Sequence, residues 1–564
     1  MIKNLFGKLI ENRGKVWFAF LLNAVILSVL SMVFCAYYES SDDMGISNLV
    51  DGSRGSNSTH LIFLNRFVGM ILKCLYQTIS VVPWYVVLQY VILFLSFTAI
   101  TYVMLQRLKS AYYFWVLTIF LTVFSYESYI LIQFTKTAAI ATVAGVALIF
   151  YGMFKDKVSK RMIFFGYVLA IVGSFYRFDQ FLAEIAMLAT IGLYFLFWLR
   201  RKENIIQWKR LLCCICVFLG LIVFAKGLNL WDQAGYTSAE WENYSEFNLL
   251  RGRLYDFGFP GYEEHKEIYE EMGIDESASE MLAAYNLLDT EKFTTDKLRK
   301  IYDLKEKTKI DANLLKEFVN SIPLRLLKIP SFYCATVILF CWLIACKKRW
   351  DNTLVVIFEI LAVIVVYFYL FYVGRYMLNR IDVGIWMAFS LVVLWVSDEE
   401  RKDITQRSGI VIAGATLLMY MYMWSPRLWG NCVASANDMW EKRAAIEEIT
   451  KDKDCLYLVK VKLLETYNAY RPFDRIPDNT IDNILPMGGW TLHSEIDNDI
   501  MEQYQLNNPY IDAINNEKVR IVDNNIDITM RYINTWYDEK AKAKLIKKVD
   551  GIPVYEIESP NTSK

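Results

Sequence analysis

Long apolar runs are the feature that most constrains this chain of 564 residues. A helix needs ~20 mostly apolar residues to cross the ~30 Å hydrocarbon core of a bilayer. Runs of about this length recur at 17–38, 84–105, 111–125, 138–154, 162–176, 181–199, 210–228, 325–346, 353–373, 383–397 and 408–424. The sequence therefore predicts a polytopic α-helical membrane protein with about eleven transmembrane helices.

Basic residues recur at alternate ends of these runs. Clusters precede the first run and follow the second, fourth, sixth, eighth and tenth, among them Lys3, Lys8, Lys15, Arg107, Lys155, Arg210, Lys347, Lys348, Arg401 and Lys402. All of them fall on one side if the N-terminus is cytoplasmic, the side that carries the excess of Lys and Arg in membrane proteins. We therefore expect a multi-pass protein of the cell membrane whose long polar segments are extracytoplasmic.

The polar segments divide the chain into two predicted parts. Residues 1–428 would form a transmembrane module, with a first outer loop at 39–83 and a helical outer loop at 229–324. Residues 429–564 would form an extracytoplasmic α/β domain, since strand-like runs at 455–461 and 518–523, a helix at 527–538 and a hairpin across Asp550-Gly551 follow one another there.

Within the first loop, residues 61–80 place Asn65, Arg66, Gly69, Lys73 and Gln77 on one helical face, with apolar residues elsewhere. This pattern predicts a helix lying in the headgroup plane. The alternative, a short spanning helix, would put Arg66 and Lys73 in lipid.

Charge and motifs exclude several classes of function. The chain has 60 Lys+Arg and 60 Asp+Glu, which gives no sign of a nucleic-acid partner. There is no P-loop, no G-x-G-x-x-G after a strand, no H-E-x-x-H and no G-x-S-x-G, which argues against ATP-driven pumps and enzymes of soluble nucleotides. Cys213-Cys214-x-Cys216 lies in an apolar run and has no nearby His or second cysteine cluster, so neither a disulfide framework nor a zinc site is expected.

Three carboxylates, Glu39, Asp42 and Asp43, come directly after the first apolar run. Adjacent carboxylates in an apolar setting repel one another and lose hydration, which raises at least one pKa and produces a general base or a metal ligand. The alternative is a solvated loop in which Asp43 caps a helix over 44–50.

This acidic motif, the interfacial helix, the many spans and the C-terminal domain together resemble the GT-C superfamily of membrane glycosyltransferases. The plan is most similar to members found in low-GC Gram-positive bacteria. The resemblance implies transfer of a sugar from a polyprenyl-phosphate carrier to a cell-envelope glycan or lipid acceptor. Two alternatives stay open: a transporter or flippase of lipid-linked or envelope glycans, which would need ionisable residues at mid-membrane, and a non-catalytic envelope scaffold.

The resemblance also implies roles for particular residues. Asp42 or Asp43 would be the general base, with Asp43 preferred, or would hold a divalent cation such as Mg²⁺ or Mn²⁺. Glu127 matches a second-loop acid by position, and its alternative is a solvent-facing glutamate.

A lipid phosphate requires cations, and we expect them among Arg375, Arg177, Lys136, His60 and Arg66. The alternatives are structural pairs Arg177–Asp179 and Arg380–Asp382, a snorkelling Lys136 and a solvated His60.

Overall fold

The computed structural model describes residues 14–560 apart from 109, 203–204, 306–309, 327, 346–348, 376–377 and 398–404. Six helices in this part of the chain are long and apolar enough to cross a membrane: Gly14–Val33, Trp84–Arg107, Phe134–Phe154, Phe178–Phe197, Trp208–Tyr236 and Trp350–Tyr372. Pro330–Ala345 is a shorter apolar helix. The protein is thus a helical membrane protein, and eleven crossings remain a prediction.

The first half of the chain is almost entirely helical. Its elements are α1 (Gly14–Val33), β1 (Tyr37–Tyr38), α2 (Ser41–Val50), α3 (Arg66–Thr78), α4 (Trp84–Arg107), α5 (Ala111–Tyr129), β2 (Leu131–Ile132), α6 (Phe134–Phe154), α7 (Lys160–Tyr176), α8 (Phe178–Lys202) and α9 (Ile205–Gln233). Short helices follow: α10 (Ala239–Phe257), α11 (Lys266–Glu271), α12 (Glu276–Ala283), α13 (Thr295–Asp303) and α14 (Ala312–Leu326).

The second half returns to apolar helices and ends in an α/β unit. The helices are α15 (Pro330–Ala345), α16 (Trp350–Tyr372), α17 (Asn379–Trp395) and α18 (Gln406–Thr450). The α/β unit contains β3 (Leu456–Val459), β4 (Ile484–Pro486), α19 (Glu495–Gln503), α20 (Pro509–Asn515), β5 (Val519–Val522), α21 (Ile526–Trp536), β6 (Lys542–Val549) and β7 (Ile552–Glu558). A helix thus lies at every one of the predicted apolar runs.

Helix α6 is the centre of the bundle, because nearly all of its residues are buried. Its packing against α7 depends on small residues. A Cβ on Gly145 would lie 2.5 Å from the Gly166 carbonyl oxygen, and one on Gly173 would lie 2.7 Å from that of Ala138. Small residues allow helix backbones to approach this closely, which is the usual way apolar helices associate within a membrane.

Basic side chains at one end of the bundle donate hydrogen bonds to backbone carbonyls near the ends of neighbouring helices. Lys15 donates to the Leu105 carbonyl at 3.1 Å, Arg107 to that of Trp395 at 2.7 Å, and Arg210 to that of Lys155 at 3.0 Å. The basic residues Lys3, Lys8, Lys347, Lys348, Arg401 and Lys402 lie outside the described residues. The polar segments gather at the other end.

The polar segments and the α/β unit share one apolar core. It joins, for example, Ile46 of the first segment, Leu298 of the second and Leu485 of the sheet. Helix α18, 45 residues long, runs without interruption across the predicted boundary at 428/429. The two predicted parts are therefore joined by a continuous helix rather than by a linker.

The C-terminal sheet has the strand order β4-β3-β5-β7-β6. Strands β3, β4 and β5 are parallel, and β7 pairs antiparallel with both β5 and β6. The predicted strands and closing hairpin are present.

The predicted interfacial helix is present as α3, but its faces differ from the prediction. Gly69 packs against Thr59, whose carbonyl oxygen would lie 2.1 Å from an added Cβ, and Asn65 is buried as the N-cap. The outward side carries Phe67 and Met70. The exposed side of α3 therefore includes an apolar surface.

Candidate functional site

A cavity of about 1780 Å³ lies at the polar end of the bundle. Four parts of the chain form its walls: the start of α2, the ends of α8, α16 and α17, the segment 248–305, and the loops of the C-terminal sheet. These parts are far apart in sequence, so the cavity exists only when the polar segments pack onto the bundle.

Among the arginines that line the cavity, Arg375 and Arg380 lie in electrostatic reach of Arg177, and these three form what we call the arginine wall. The Arg380 guanidinium lies 3.5 Å from the Asp42 carboxylate, and that of Arg375 lies 3.4 Å from Asp256. The paired residues therefore come from distant segments, and Arg380 meets Asp42 in place of the predicted partner, Asp382. Asp382 is buried and accepts a hydrogen bond from the Tyr367 hydroxyl at 2.8 Å.

Arg177 differs from the other two arginines. Its guanidinium lies 5.6 Å from the centre of the Phe134 ring, and no carboxylate of the described residues lies within 4.0 Å of it. Burial, and then the neighbouring charge of Arg375, lowers the pKa of Arg177 to about 10. A half-buried cation without a close counter-ion favours the approach of an anion.

Another part of the cavity lining is an apolar wall. It contains Val366, Tyr369 and Leu370 of α16, with Leu182 of α8. Tyr369 is 61% exposed, and the preceding turn of α16 carries Val365, which is 66% exposed. Large apolar side chains exposed on a membrane helix face lipid. The apolar wall is thus continuous with the lipid-facing surface of α16.

A short parallel strand pair brings Asp42 to this cavity. Tyr37 and Tyr38 of β1 pair with Leu131 and Ile132 of β2, which fixes the start of α2 beside α6. Asp42 lies in the first turn of α2, where the helix dipole stabilises a carboxylate. Its side chain lines the cavity and is one-quarter exposed.

Asp43 points the other way, and this corrects the preference for it as the base. It is fully buried and does not line the cavity. Its Oδ1 accepts hydrogen bonds from the Tyr85 hydroxyl (2.8 Å), the Phe134 amide (3.1 Å) and Gln89 (3.3 Å). Burial raises the pKa of Asp43 to about 8. It is also not a helix cap, since the N-cap is Ser40. Asp43 holds α2 against the bundle.

Glu127 and Lys136 form a buried cluster beneath the cavity rather than part of its lining. The Lys136 ammonium lies 2.5 Å from Glu39 and 3.8 Å from Glu127. Glu127 also accepts from the Tyr420 hydroxyl at 2.8 Å and from Asn379 at 3.3 Å. Glu127 is therefore not solvent-facing, and Lys136 neither snorkels nor faces a phosphate. The cluster joins the first polar segment to α5, α6, α17 and α18.

His60 and Arg66 also lie away from the cavity lining. The centre of the His60 ring lies 4.6 Å from that of Trp241 with the planes tilted by 37°, and its Nδ1 lies 3.5 Å from a Glu495 carboxylate oxygen. The Arg66 amide donates to Asp232 at 2.7 Å, and its guanidinium lies over the Trp231 ring. Both residues join polar segments to one another, and neither is brought to the cavity with Arg177 and Arg375.

Among the described residues, no group of three or more His, Cys, Asp or Glu has the arrangement of a metal site. Because Asp42 and Asp43 point in different directions, they do not share a ligand position. A divalent cation at these two residues together does not fit the geometry.

The cavity lining includes residues that the sequence did not single out, among them Asn48, Glu465 and Trp490. Asn48 lies three residues after Gly45 and Gly45 three residues after Asp42 on α2, and this spacing could have pointed to Asn48. Glu465 and Trp490 come from the sheet loops, and no sequence pattern connects them with the first polar segment. No protein-family model matches the chain, and no curated protein and no solved structure matches it.

Proposed function

We propose that the protein is a membrane glycosyltransferase that transfers a sugar from a polyprenyl-phosphate carrier to a cell-envelope acceptor on the extracytoplasmic face. One observation carries this proposal. The cavity combines the arginine wall, the Asp42 carboxylate and an apolar wall that includes α16, a helix long and apolar enough to cross a membrane. A phosphate on a long hydrocarbon chain is the ligand that needs an arginine-lined pocket beside a lipid-facing surface.

In this reaction the acceptor hydroxyl oxygen bonds to the anomeric carbon of the sugar, and the bond from that carbon to the phosphate oxygen breaks. The hydroxyl proton goes to the Asp42 carboxylate. The bond electrons leave with the polyprenyl phosphate, whose charge Arg177 and Arg375 stabilise. A positioned carboxylate base contributes typically ~10²–10⁴-fold to such a step.

Arg380 is the positioning residue for Asp42. The two side chains are 3.5 Å apart, and each comes from a different part of the chain. This contact orients the carboxylate towards the cavity, and it places the base between the arginine wall and the sheet loops. The proposal therefore uses Asp42, not Asp43, as the base.

The test compares variants in a deletion strain. Wild type, Asp42→Asn and Asp43→Asn are expressed, and envelope glycans and lipid-phosphate sugars are analysed by mass spectrometry. We expect Asp42→Asn to lose the glycan and accumulate the lipid-phosphate sugar, while Asp43→Asn retains most of the product. An unchanged glycan pattern with Asp42→Asn would refute the catalytic role.

A second candidate, a flippase of lipid-linked glycans, has one observation in its favour. Glu184 of α8 and Glu359 of α16 are fully buried within membrane-crossing helices. Glu184 accepts from Gln180 at 2.7 Å, and Glu359 accepts from Thr190 at 2.7 Å. Ionisable residues within the membrane mark transport pathways in many proteins. In the same strain, Glu184→Gln with Glu359→Gln should abolish the glycan if the protein is a flippase and should leave it if transfer is the activity.

A further inference from the structure

The carboxyl ends of two parallel strands open onto the cavity. The residues after β3, from Val461 to Tyr467, and those after β4, from Gly489 to Thr491, line it. In sheets with parallel strands, ligands bind in the crevice outside the carboxyl ends, where the connecting loops diverge. The C-terminal unit thus presents its ligand-binding edge to the arginine-lined cavity of the bundle.

Trp490 is held at this edge by a ring contact with α2 and by a hydrogen bond to its backbone. A Cβ on Gly45 would lie 2.6 Å from the Trp490 ring, and the Tyr244 hydroxyl donates to the Trp490 carbonyl at 2.7 Å. Gly45 lies one turn after Asp42 on α2, so the indole lies beside the base. A flat aromatic ring next to a carboxylate matches the apolar C–H face and the hydroxyls of a sugar.

Asn48 adds a hydrogen-bond acceptor without a partner. Its side chain is 6% exposed and lines the cavity. Its Nδ2 donates to Thr466 at 2.9 Å, but its buried Oδ1 accepts no hydrogen bond from the described residues. A buried acceptor without a hydrogen bond destabilises the folded state by about 1–3 kcal/mol. A ligand hydroxyl donating to Oδ1 would remove this cost.

The charges at this edge are mixed. Glu465 lines the cavity, and burial raises its pKa; the charge of Lys462, which also lines the cavity, opposes this rise, and the charge of Asp42 adds to it. Both carboxylates accept hydrogen bonds from hydroxyls, and Lys462 offsets part of their negative charge. A hydroxyl-rich ligand without net charge therefore fits this edge, whereas a phosphate fits the arginines Arg177 and Arg375.

From this arrangement we infer that the edge formed by Asn48, Glu465 and Trp490 is a binding site for a neutral saccharide, which is the acceptor of the transfer. The saccharide ring stacks on Trp490 and donates a hydroxyl to Asn48, and Glu465 accepts a second hydroxyl. The assignment of this saccharide as the acceptor rests on the proposed function, whereas the binding of a saccharide at this edge does not. The structure would then bind the acceptor through its C-terminal unit and the donor through its bundle.

The test is saturation-transfer difference NMR on the full-length protein in lipid nanodiscs. The probes are the methyl glycosides of glucose, galactose and N-acetylglucosamine. We expect at least one probe to bind the wild type, Trp490→Ala to weaken binding at least tenfold, and Asn48→Ala to weaken it several-fold. Trp490→Phe should retain part of the affinity.

Trp440→Ala is the matched control, because Trp440 is 69% exposed and lies outside the cavity lining. Thermal unfolding of each variant shows whether it is folded, and Trp490→Phe keeps the test valid if Trp490→Ala does not fold. Absence of binding by the wild type, or equal binding by wild type, Trp490→Ala and Asn48→Ala, would overturn the inference. Because this assay needs no turnover, its failure leaves the role of Asp42 standing. Conversely, saccharide binding with an unaffected Asp42→Asn strain would refute the transfer reaction alone.

Discussion

The Arg380 guanidinium lies 3.5 Å from the Asp42 carboxylate. This contact joins the start of α17 to the first polar segment, residues that are distant in sequence. It places a cation and a carboxylate side by side on the wall of a cavity that also contains Arg177 and Arg375. The proposed chemistry depends on this relationship.

Replacing Arg380 should therefore slow the sugar transfer, because Asp42, the proposed base, is no longer held in position. A partly exposed ion pair is worth up to about 1 kcal/mol, so Arg380→Gln should lower the rate of glycan formation up to about fivefold. Arg380→Lys should recover part of this loss, since it keeps the charge. The control is Arg443→Gln, which removes the contact with Glu447 on α18, away from the cavity lining. Equal rates for wild type and Arg380→Gln in the complemented strain would contradict the positioning role.

The stability of the protein should depend on pH through Asp43. Its pKa is raised to about 8 in the folded protein, against ~3.9 for an unfolded chain. The folded state binds the extra proton between these values, so this contribution to stability is greatest below about pH 4 and falls as the pH rises to about 8. Asp43→Asn should remove that fall.

The pKa of Asp51 is also raised, to about 6, so Asp51 likewise lowers the stability as the pH rises. This contribution is the same in wild type and in Asp43→Asn. The free energy of unfolding of wild type should therefore fall relative to that of Asp43→Asn as the pH rises from about 4 to about 8, including the range pH 6–8. Thermal unfolding in nanodiscs from pH 4 to pH 9 measures this. Parallel curves for the two proteins would show that Asp43 does not titrate in this range.

Lys136 should matter for stability rather than for phosphate binding. Its ammonium faces Glu39 and Glu127, and it donates to the Glu127 carbonyl at 2.7 Å. Removing one partner from a buried charge cluster costs about 3–5 kcal/mol, so Lys136→Met should destabilise the protein by that order. Adding Glu127→Gln should restore part of it. A Lys136→Met protein with wild-type unfolding temperature but no activity would favour the original phosphate-ligand prediction instead.

Gly488 should be required for the contact between the second polar segment and the sheet. A Cβ at Gly488 would lie 2.0 Å from the Tyr285 carbonyl oxygen, which is backbone and cannot rotate away. Gly488→Ala should therefore destabilise the protein by about 1–3 kcal/mol, as overpacking does. Gly220→Ala is the control, since nothing lies within 4 Å of its added Cβ. Equal unfolding temperatures for the two variants would show that the segment does not pack here.

The local features of the fold were predictable from the sequence, because they depend on local periodicity. The apolar runs predicted helices at the right places, and the strands and hairpin of the C-terminal unit followed from alternation and turn residues. Within the described ranges, six helices meet the length and apolarity of a membrane span, fewer than the predicted runs, and some of the others, such as Pro330–Ala345, are shorter.

The candidate site was less predictable because it depends on direction and on distant contacts. Asp42 and Asp43 are adjacent in sequence, yet one lines the cavity and the other is buried, since successive helical side chains point about 100° apart. Lys136 and His60 have no partner at close spacing in the sequence, because Lys136 pairs with Glu39 and His60 with Glu495, which lie on distant segments. Trp490 packs against Gly45, although more than four hundred residues separate them in the sequence. No local pattern predicts such a contact.

Binding of undecaprenyl phosphate to the purified protein in nanodiscs tests the central claim most directly. Native mass spectrometry or a radiolabelled lipid gives its affinity for wild type, Arg177→Gln, Arg375→Gln and the control Arg443→Gln. We predict that each cavity substitution weakens binding about tenfold or more, as expected for a lost charged hydrogen bond, and that the control binds like wild type. Equal affinity for all four proteins would contradict a lipid-phosphate site in this cavity.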